Sequence, residues 1–395
     1  MPLSLDYHSF DMLIMSPLPL TGFTTIIVMI MCFWRWMKGF RRIFGSQPAK
    51  SELGQMTPYP NDPIKGKEKY KITMGLRRAD MKNWLTIDNK YMPEHRVRDQ
   101  LLKEERKKVF QCLPESQEAC KETLEVVTKF LCERYPQMFE KIRTFSGSAI
   151  HNKETGETFK LGSSKEEMEP LEIAVRLAME DINVLLPNDD GEYCLSASAS
   201  LFPVGWAVHE RIGWTIAQMH GPVPLWKEQV GHVVNKYAPP SAKDAHDPFS
   251  FSWGNANADV SRFLGRLTPQ SPMERSNYFV EVSRPGESLL SILFRPISLS
   301  YDDFEPQPEH ISIRRERQIF RRLPKSGGII FSVKTSLTTL DQLPLEELQN
   351  LAKEIESWPE DVGTYKGRDS WGVKVLDFCQ QRLAQHQQQQ QDQEK

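Results

Sequence analysis

The chain lacks the short motifs that would assign its chemistry at once. None of its 395 residues falls in a GxxxxGK(S/T), HExxH, GxSxG or cysteine-centred cytochrome pattern, which excludes a P-loop, a zincin, a serine-hydrolase elbow and thioether-linked haem. A Gly-rich dinucleotide fingerprint is also missing, so no nicotinamide or flavin domain is built in, and any redox chemistry must take its electrons from elsewhere. The six cysteines (Cys32, Cys112, Cys120, Cys132, Cys194 and Cys379) make no CxxC pair. That spacing argues against a zinc site or a dense disulfide framework and suits a reducing cytosol. An excess of either charge is missing too. Fifty basic and 52 acidic residues give a net charge of −2, which leaves no global field to draw nucleic acid. There is no internal repeat.

What is present is enough apolar surface to fold. Hydrophobic residues make up 39% and aromatics 10%, with nine Trp and twenty Phe, a composition that can bury a sizeable core. The first feature met is a membrane-like segment. No charge occurs from Met12 to Trp34, and Leu18 to Trp36 is nearly all apolar or small, about the roughly 20 residues that cross a hydrocarbon layer. Asp6 and Asp11 precede it in place of a basic n-region and no cleavage site follows, against a secretory peptide. Arg35, Lys38, Arg41 and Arg42 follow, and by the positive-inside rule the rest of the chain is expected in the cytosol. The expected organisation is an anchor over 1–44 (span about 18–36), a Pro-rich tether over 45–69, one domain over 70–385 and a disordered Gln-rich tail over 386–395.

Within the domain, helical spacing predicts helices over Glu94–Cys112, Glu115–Tyr135, Glu166–Leu186, Val204–His220, Leu345–Trp358 and Trp371–Leu383. Strands are predicted over Tyr193–Leu201, Asn277–Val282, Leu289–Phe294 and Gly328–Leu337 from their alternation and their β-branched and aromatic residues. Helices beside a mostly antiparallel strand region predict an α+β fold rather than βαβ winding.

Two stretches could carry chemistry. In Phe202-Pro203-Val204-Gly205-Trp206 through Gly213 to His220-Gly221-Pro222, a continuous helix would place Trp206, Gly213, Ile216 and His220 near one face, with Gly213 leaving room for a flat cofactor. His220 in the last turn could direct a ring nitrogen at a metal; a His there is equally favoured by the helix dipole. The second stretch, Ile311 to Pro324, holds five Arg within nine residues. Guanidinium forks suit carboxylates, while a mixed run of this kind also describes a solvated edge strand with Glu316 pairing locally.

Separated blocks between Lys71 and Leu340 resemble the haem-dependent oxidative N-demethylase family. They are Met74-Gly75-Leu76 with Trp84-Leu85 and Asp88; Glu180-Asp181 with Leu185-Leu186; Phe202-Pro203 and Trp206 with His220 and Pro222-Val223-Pro224; Arg275-Ser276-Asn277; and Arg315-Glu316-Arg317-Gln318 through Arg321-Arg322-Leu323-Pro324, Ser326-Gly327, Phe331 and Thr335. The resemblance implies a PAS-like sheet holding haem b, with His220 as the axial ligand of its iron and Arg317 and Arg321 as clamps on its propionates. It further implies oxidation of an N-methyl group of a small amine with O₂, electrons from a separate NAD(P)H-dependent reductase, and release of formaldehyde. Glu316 or Asn277 would accept the substrate ammonium. Tyr278 and Phe320 depart from the Trp and Leu expected of the family, and the membrane segment departs from its soluble bacterial members. A tethered haem or small-ligand sensor and a cofactor-free adaptor are the other readings the sequence leaves open.

Overall fold

The computed structural model describes residues 52–71, 74–145, 147–162, 168–203, 207–220, 223–224, 256–295 and 304–393. The apolar segment Leu18–Trp36, the short segment Val204–Trp206 and Gly221–Pro222 lie outside these residues. Among the described residues, no helix is long and apolar enough to cross a membrane.

In chain order the main elements are β1 (Arg77–Arg78), α1 (Tyr91–Glu104), β2 (Phe110–Cys112), α2 (Gln117–Arg134), β3 (Phe139–Thr144), β4 (Gly147–Asn152), β5 (Thr158–Lys160), α3 (Pro170–Leu177), β6 (Asp181–Pro187), β7 (Tyr193–Ala199), α4 (Ile216–His220), α5 (Ala256–Arg266), β8 (Met273–Val282), β9 (Ile311–Arg322), β10 (Ile329–Thr339), α6 (Leu345–Ser357), α7 (Glu360–Tyr365) and α8 (Arg368–Gln393). The fold is α+β. Seven strands form one sheet in the order β1-β8-β9-β10-β6-β7-β2, and β3-β4-β5 form a small second sheet. All the ladders are antiparallel.

Strand alternation decides what each face of the large sheet carries. On one face, Ile182, Val184, Ala197, Ala199, Ile319 and Ile330 pack against α1, α2 and α3 through Leu101, Leu124, Val127, Leu131, Leu171 and Val175. Farther along the same face, Val280, Val282, Ile311 and Ile313 meet Leu348, Leu351 and Ile355 of α6 and Trp371 and Val375 of α8. Each such buried aliphatic side chain is worth about 1.5–3 kcal/mol. The opposite face carries Leu185, Leu195, Met273 and Ile329, met by Ile216 and Met219 of α4 and Leu264 of α5, with Phe320 and Phe331 at the edge of that cluster.

Several sequence expectations are corrected. The helix expected over Glu166–Leu186 ends at Leu177, and Asp181–Pro187 is a strand between β10 and β7. Its first five residues are all buried, and its apolar positions Ile182, Val184 and Leu185 satisfy a helical and a strand period alike. The first helix stops at Glu104, so Phe110–Cys112 is edge strand. Leu289–Leu293 is helical rather than extended, started by Ser288, whose hydroxyl accepts the Ser291 N–H at 3.1 Å. The Arg-rich stretch is no edge, because β9 pairs along its length with β8 and β10.

The expected tether also packs. Leu53 and Ile64 are buried, the Ile64 N–H donates to Glu347, and Asp62 takes both Arg77 and the Ser276 hydroxyl, so the compact unit runs from Leu53 to Lys395. At the other end α8 continues through the five-Gln run to Gln393, where the sequence reading expected disorder. Gln is a good helix former, and α8 extends a helix already nucleated by packing at Trp371 and Val375.

Candidate functional site

The residues singled out on β9 divide by parity between the two faces of the sheet. Arg315, Arg317 and Arg321 point to the helix-covered face; Arg314, Glu316, Gln318 and Phe320 point to the face of α4. Arg317 donates from Nε and Nη2 to Glu274 at 3.1 and 2.8 Å, reaches the Asn83 carbonyl, and lies over the Tyr59 ring at 4.4 Å. Arg321 stacks on Trp84 at 4.1 Å, and burial with no neighbouring carboxylate pulls it down to about 10. Both therefore stand across the sheet from α4. They cannot clamp a group that His220 holds, and the expectation that they would is corrected by the pleat.

On the α4 face, Glu316 and Asn277 are cross-strand partners. Glu316 already has donors. It accepts from Arg314 Nε at 3.1 Å and Nη2 at 2.9 Å, and from the Gln318 amide at 2.7 Å. Arg314 also reaches Glu281 and donates to the Phe202 carbonyl at 2.6 Å. The Phe202 N–H in turn donates to Asp181 at 3.0 Å, and Asp181 pairs with Arg98 at 3.1 Å. This network joins three of the sequence blocks and fixes the end of β7. Asn277 Oδ1 faces Lys366 Nζ at 3.5 Å, and that ammonium donates to the Tyr278 carbonyl on the outer edge of β8 at 2.7 Å. Burial draws Lys366 down to about 8.

His220 closes α4. Its Nδ1 lies 2.7 Å from the Ile216 carbonyl, which can only accept, so Nδ1 bears the proton and Nε2 the lone pair. Burial first, and the positive Arg275 as well, hold the ring near pKa about 4, against the favourable bond to Ile216. It is neutral near pH 7. A neutral imidazole whose other ring nitrogen donates to a backbone carbonyl is the usual arrangement of a metal-ligating histidine.

Sequence reasoning gave no role to Arg275. This arginine lies on β8 opposite Gln318, on the α4 face, and its Nε is shut off from solvent without a hydrogen-bond partner. Burial pulls its pKa down, against the attraction of Glu316 and the Tyr365 and Tyr70 phenols. A desolvated cation with a vacant donor, beside a neutral imidazole, is a place built for an anion. Glu274 and Arg275 are adjacent on one strand, and once the β8–β9 register puts Glu274 on the helix-covered face, Arg275 must serve the other. Tyr365, which Glu316 and Arg275 both influence, was also missed, because its helix is distant in sequence. Phe320 and Phe331, cross-strand partners with ring centroids 4.6 Å apart, add an apolar wall to this face.

The remaining expectations resolve as follows. The helix expected over Val204–His220 is interrupted. Val208–Arg211 makes one turn, Gly213 takes a left-handed conformation at φ +84, and α4 begins only at Ile216. The Gly213 N–H donates to Leu195 at 2.8 Å and the Leu195 N–H to Trp214 at 2.9 Å, so β7 claims this stretch and Gly213 serves the turn rather than making space for a cofactor. Trp206 lies outside the described residues. Tyr278 points to the covered face beside Trp358, so its departure from the expected Trp falls away from the His220 site. Among the described residues no group of three or more His, Cys, Asp or Glu gathers as a metal-binding set.

The family model described as haem-dependent oxidative N-demethylase, alpha subunit-like, matches residues 75–376, a stretch that includes both sheet faces, α4, His220, Arg275, Asn277 and Glu316. The match takes in most of the chain, and the protein belongs to the haem-dependent oxidative N-demethylase, alpha subunit-like family.

Proposed function

We propose that the protein is a haem-dependent oxidoreductase that removes N-methyl groups from a small amine, with His220 as the axial ligand. The observation that carries this reading is the juxtaposition of a neutral His220, protonated at Nδ1, with the desolvated cation of Arg275, whose Nε lacks a hydrogen-bond partner. The residues fit the group. Iron takes an imidazole nitrogen, a propionate needs a cation in a dry site, and a flat macrocycle needs apolar walls such as Phe320 and Phe331. Bound there, haem b would supply O₂ chemistry, with electrons from a separate NAD(P)H-dependent reductase.

The chain's own share is positional. The Ile216 carbonyl fixes the imidazole ring, and Arg275 replaces Arg317 and Arg321 as the carboxylate partner. Glu316, held by Arg314 and Gln318, stands beside Asn277, where a substrate ammonium could be met. The PAS-like reading of the sheet is supported by its five central strands, which stand in the order β7-β6-β10-β9-β8, or 2-1-5-4-3 counted along the chain. The segment Leu18–Trp36 with its basic flank would tether the domain to the cytosolic face of a membrane.

The test is spectral and chemical. Full-length protein made with ample haem precursor should show a Soret band, and His220→Ala should lose or shift it. With a supplied reductant, N-methylated small amines should yield formaldehyde. A colourless wild-type protein that takes up no hemin overturns the proposal. A haem protein that makes no formaldehyde from any small methylamine would instead be the tethered sensor. The tether is tested separately, since removal of residues 1–44 should release the protein from alkali-washed membranes.

A further inference from the structure

Arg275 has a counterpart on the other face of the sheet. Arg321 lies on β9 opposite Ile330 of β10, and its guanidinium carbon sits 4.1 Å from the centroid of the Trp84 ring. Trp84 is fully buried, at the end of the single helical turn Met81–Asn83. Its indole Nε1 and the Nε and Nη1 of Arg321 are all shut off from solvent, and none has a hydrogen-bond partner. Stacking leaves that need unmet, because it engages the face of the guanidinium while the N–H groups of both side chains lie in their planes. Among the described residues no carboxylate bears on Arg321. Asp80, which starts the turn, is occupied by the Lys82 N–H and the Asn83 amide, each at 3.0 Å. The turn is also held from two other sides. Arg317 donates to the Asn83 carbonyl, Arg134 of α2 donates to the Lys82 carbonyl at 3.2 Å, and Phe130 of α2 meets the Trp84 ring edge-on at 5.3 Å.

We propose that the stacked pair of Trp84 and Arg321 binds a monovalent inorganic anion, chloride in ordinary buffers, at the edge the two planes share. An ion there can accept from the indole Nε1–H and from the guanidinium, and it neutralises a cation that the fold has partly withdrawn from water. The donor set selects the ion. Two side chains with one positive charge between them, walled by the rings of Trp84 and Phe130, suit a singly charged, weakly hydrated halide. Sulfate or phosphate would bring a second charge with no cation to match it. Arg321 as a whole is only partly covered, so the ion can exchange with solvent without opening the core. Bound, it would tie the turn that carries Trp84 to the central strand β9. The site lies across the sheet from His220, and its occupancy is read without haem.

Full-length protein is dialysed into sodium gluconate, and thermal unfolding is followed as chloride or bromide replaces gluconate at constant ionic strength. Salts also shift midpoints through general solvation, so the quantity read is the midpoint of the parent minus that of Arg321→Met, which keeps the apolar stem and loses the donors. That difference should rise with halide and level off as the site fills. Trp84→Phe keeps a ring for the stack and removes one donor, and should need about tenfold more halide for the same rise. A flat difference, one that climbs without levelling, or a Trp84→Phe variant that titrates with the parent overturns the proposal. Should a variant fail to fold, crystals of the parent soaked in bromide decide the matter. An anomalous peak within hydrogen-bond reach of Trp84 Nε1 and the Arg321 guanidinium supports the ion, and a water or no peak there overturns it.

Discussion

The two faces of the large sheet carry arginines drawn from the same strands, and each face matches some of them to carboxylates and leaves one without. On the helix-covered face Arg317 meets Glu274 at 2.8 Å and Arg315 meets Glu347 at 2.7 Å, while Arg321 stacks on Trp84 with its Nε and Nη1 enclosed and without hydrogen-bond partners. On the α4 face Arg314 is similarly neutralised by Glu281 and Glu316, but Arg275 is enclosed with a vacant Nε. Pairing a buried charge secures the fold, and leaving one unpaired costs stability that a ligand can repay. Each face thus holds an unmatched arginine, Arg321 on one and Arg275 on the other, and Arg275 is the one that shares the face of α4 with His220.

The largest difference between the faces should come from removing a partner on the paired side. Glu274 is 5% exposed and serves both Arg77, at 2.8 Å, and Arg317. Glu274→Ala leaves Arg77 to Asp62 but strands the well-buried guanidinium of Arg317, and should cost about 3–5 kcal/mol in urea unfolding. Hemin uptake by the fraction that remains folded should be unchanged. Arg275→Leu should give the reverse pattern, with apo stability unchanged or higher and hemin uptake weakened at least tenfold, read by titration at the Soret band. If both substitutions cost stability equally and leave hemin uptake alone, the distinction between the faces fails.

Acid sharpens the same contrast. His220 has a folded pKa of about 4, below the value of about 6.5 for an exposed imidazole. Between those values the unfolded chain binds a proton that the folded chain refuses, so this residue makes stability fall as pH drops from about 6.5 to 4. Glu94 and Glu281 are pushed up by burial and oppose it, since their contribution is largest in acid and is lost as pH rises. The comparison must therefore be differential. The unfolding free energy of wild type minus that of His220→Asn should fall steadily through this window and be level above pH 7. A level difference throughout would place the imidazole in solvent.

Legibility followed the range of the interactions involved. The strands β8 and β10, the helices near Gln117–Arg134 and Leu345–Ser357, and the α+β class could be read because each rests on local period and on residues that terminate it, as Pro136 follows α2. The strand β6 could not, because only its place between β10 and β7 decides between two periods that Ile182, Val184 and Leu185 satisfy alike. The site was half legible. His220 stood out by its position at a helix stop, whereas Arg275 becomes significant only once β8 is registered against β9 and its neighbour Glu274 is seen to serve the other face. The segment before α4 misled because its helical spacing is real, but β7 competes for the backbone at Gly213 and Trp214.

That competition yields the smallest of the expected effects. Gly213 holds φ +84, where an L side chain is strained, yet an added Cβ would meet nothing nearer than Leu113 Cδ1 at 3.8 Å. Gly213→Ala should therefore cost only the conformational term, about 1–2 kcal/mol, with no steric addition. If the turn merely joined two elements, that loss of stability would be the whole consequence. Because it aims α4, a strained turn should also move His220 relative to Arg275, and hemin bound to Gly213→Ala should show a shifted Soret maximum at unchanged stoichiometry. A variant destabilised by this amount with an unshifted spectrum would show that the packing of Ile216 and Met219 against the sheet, and not the turn, sets the position of the imidazole.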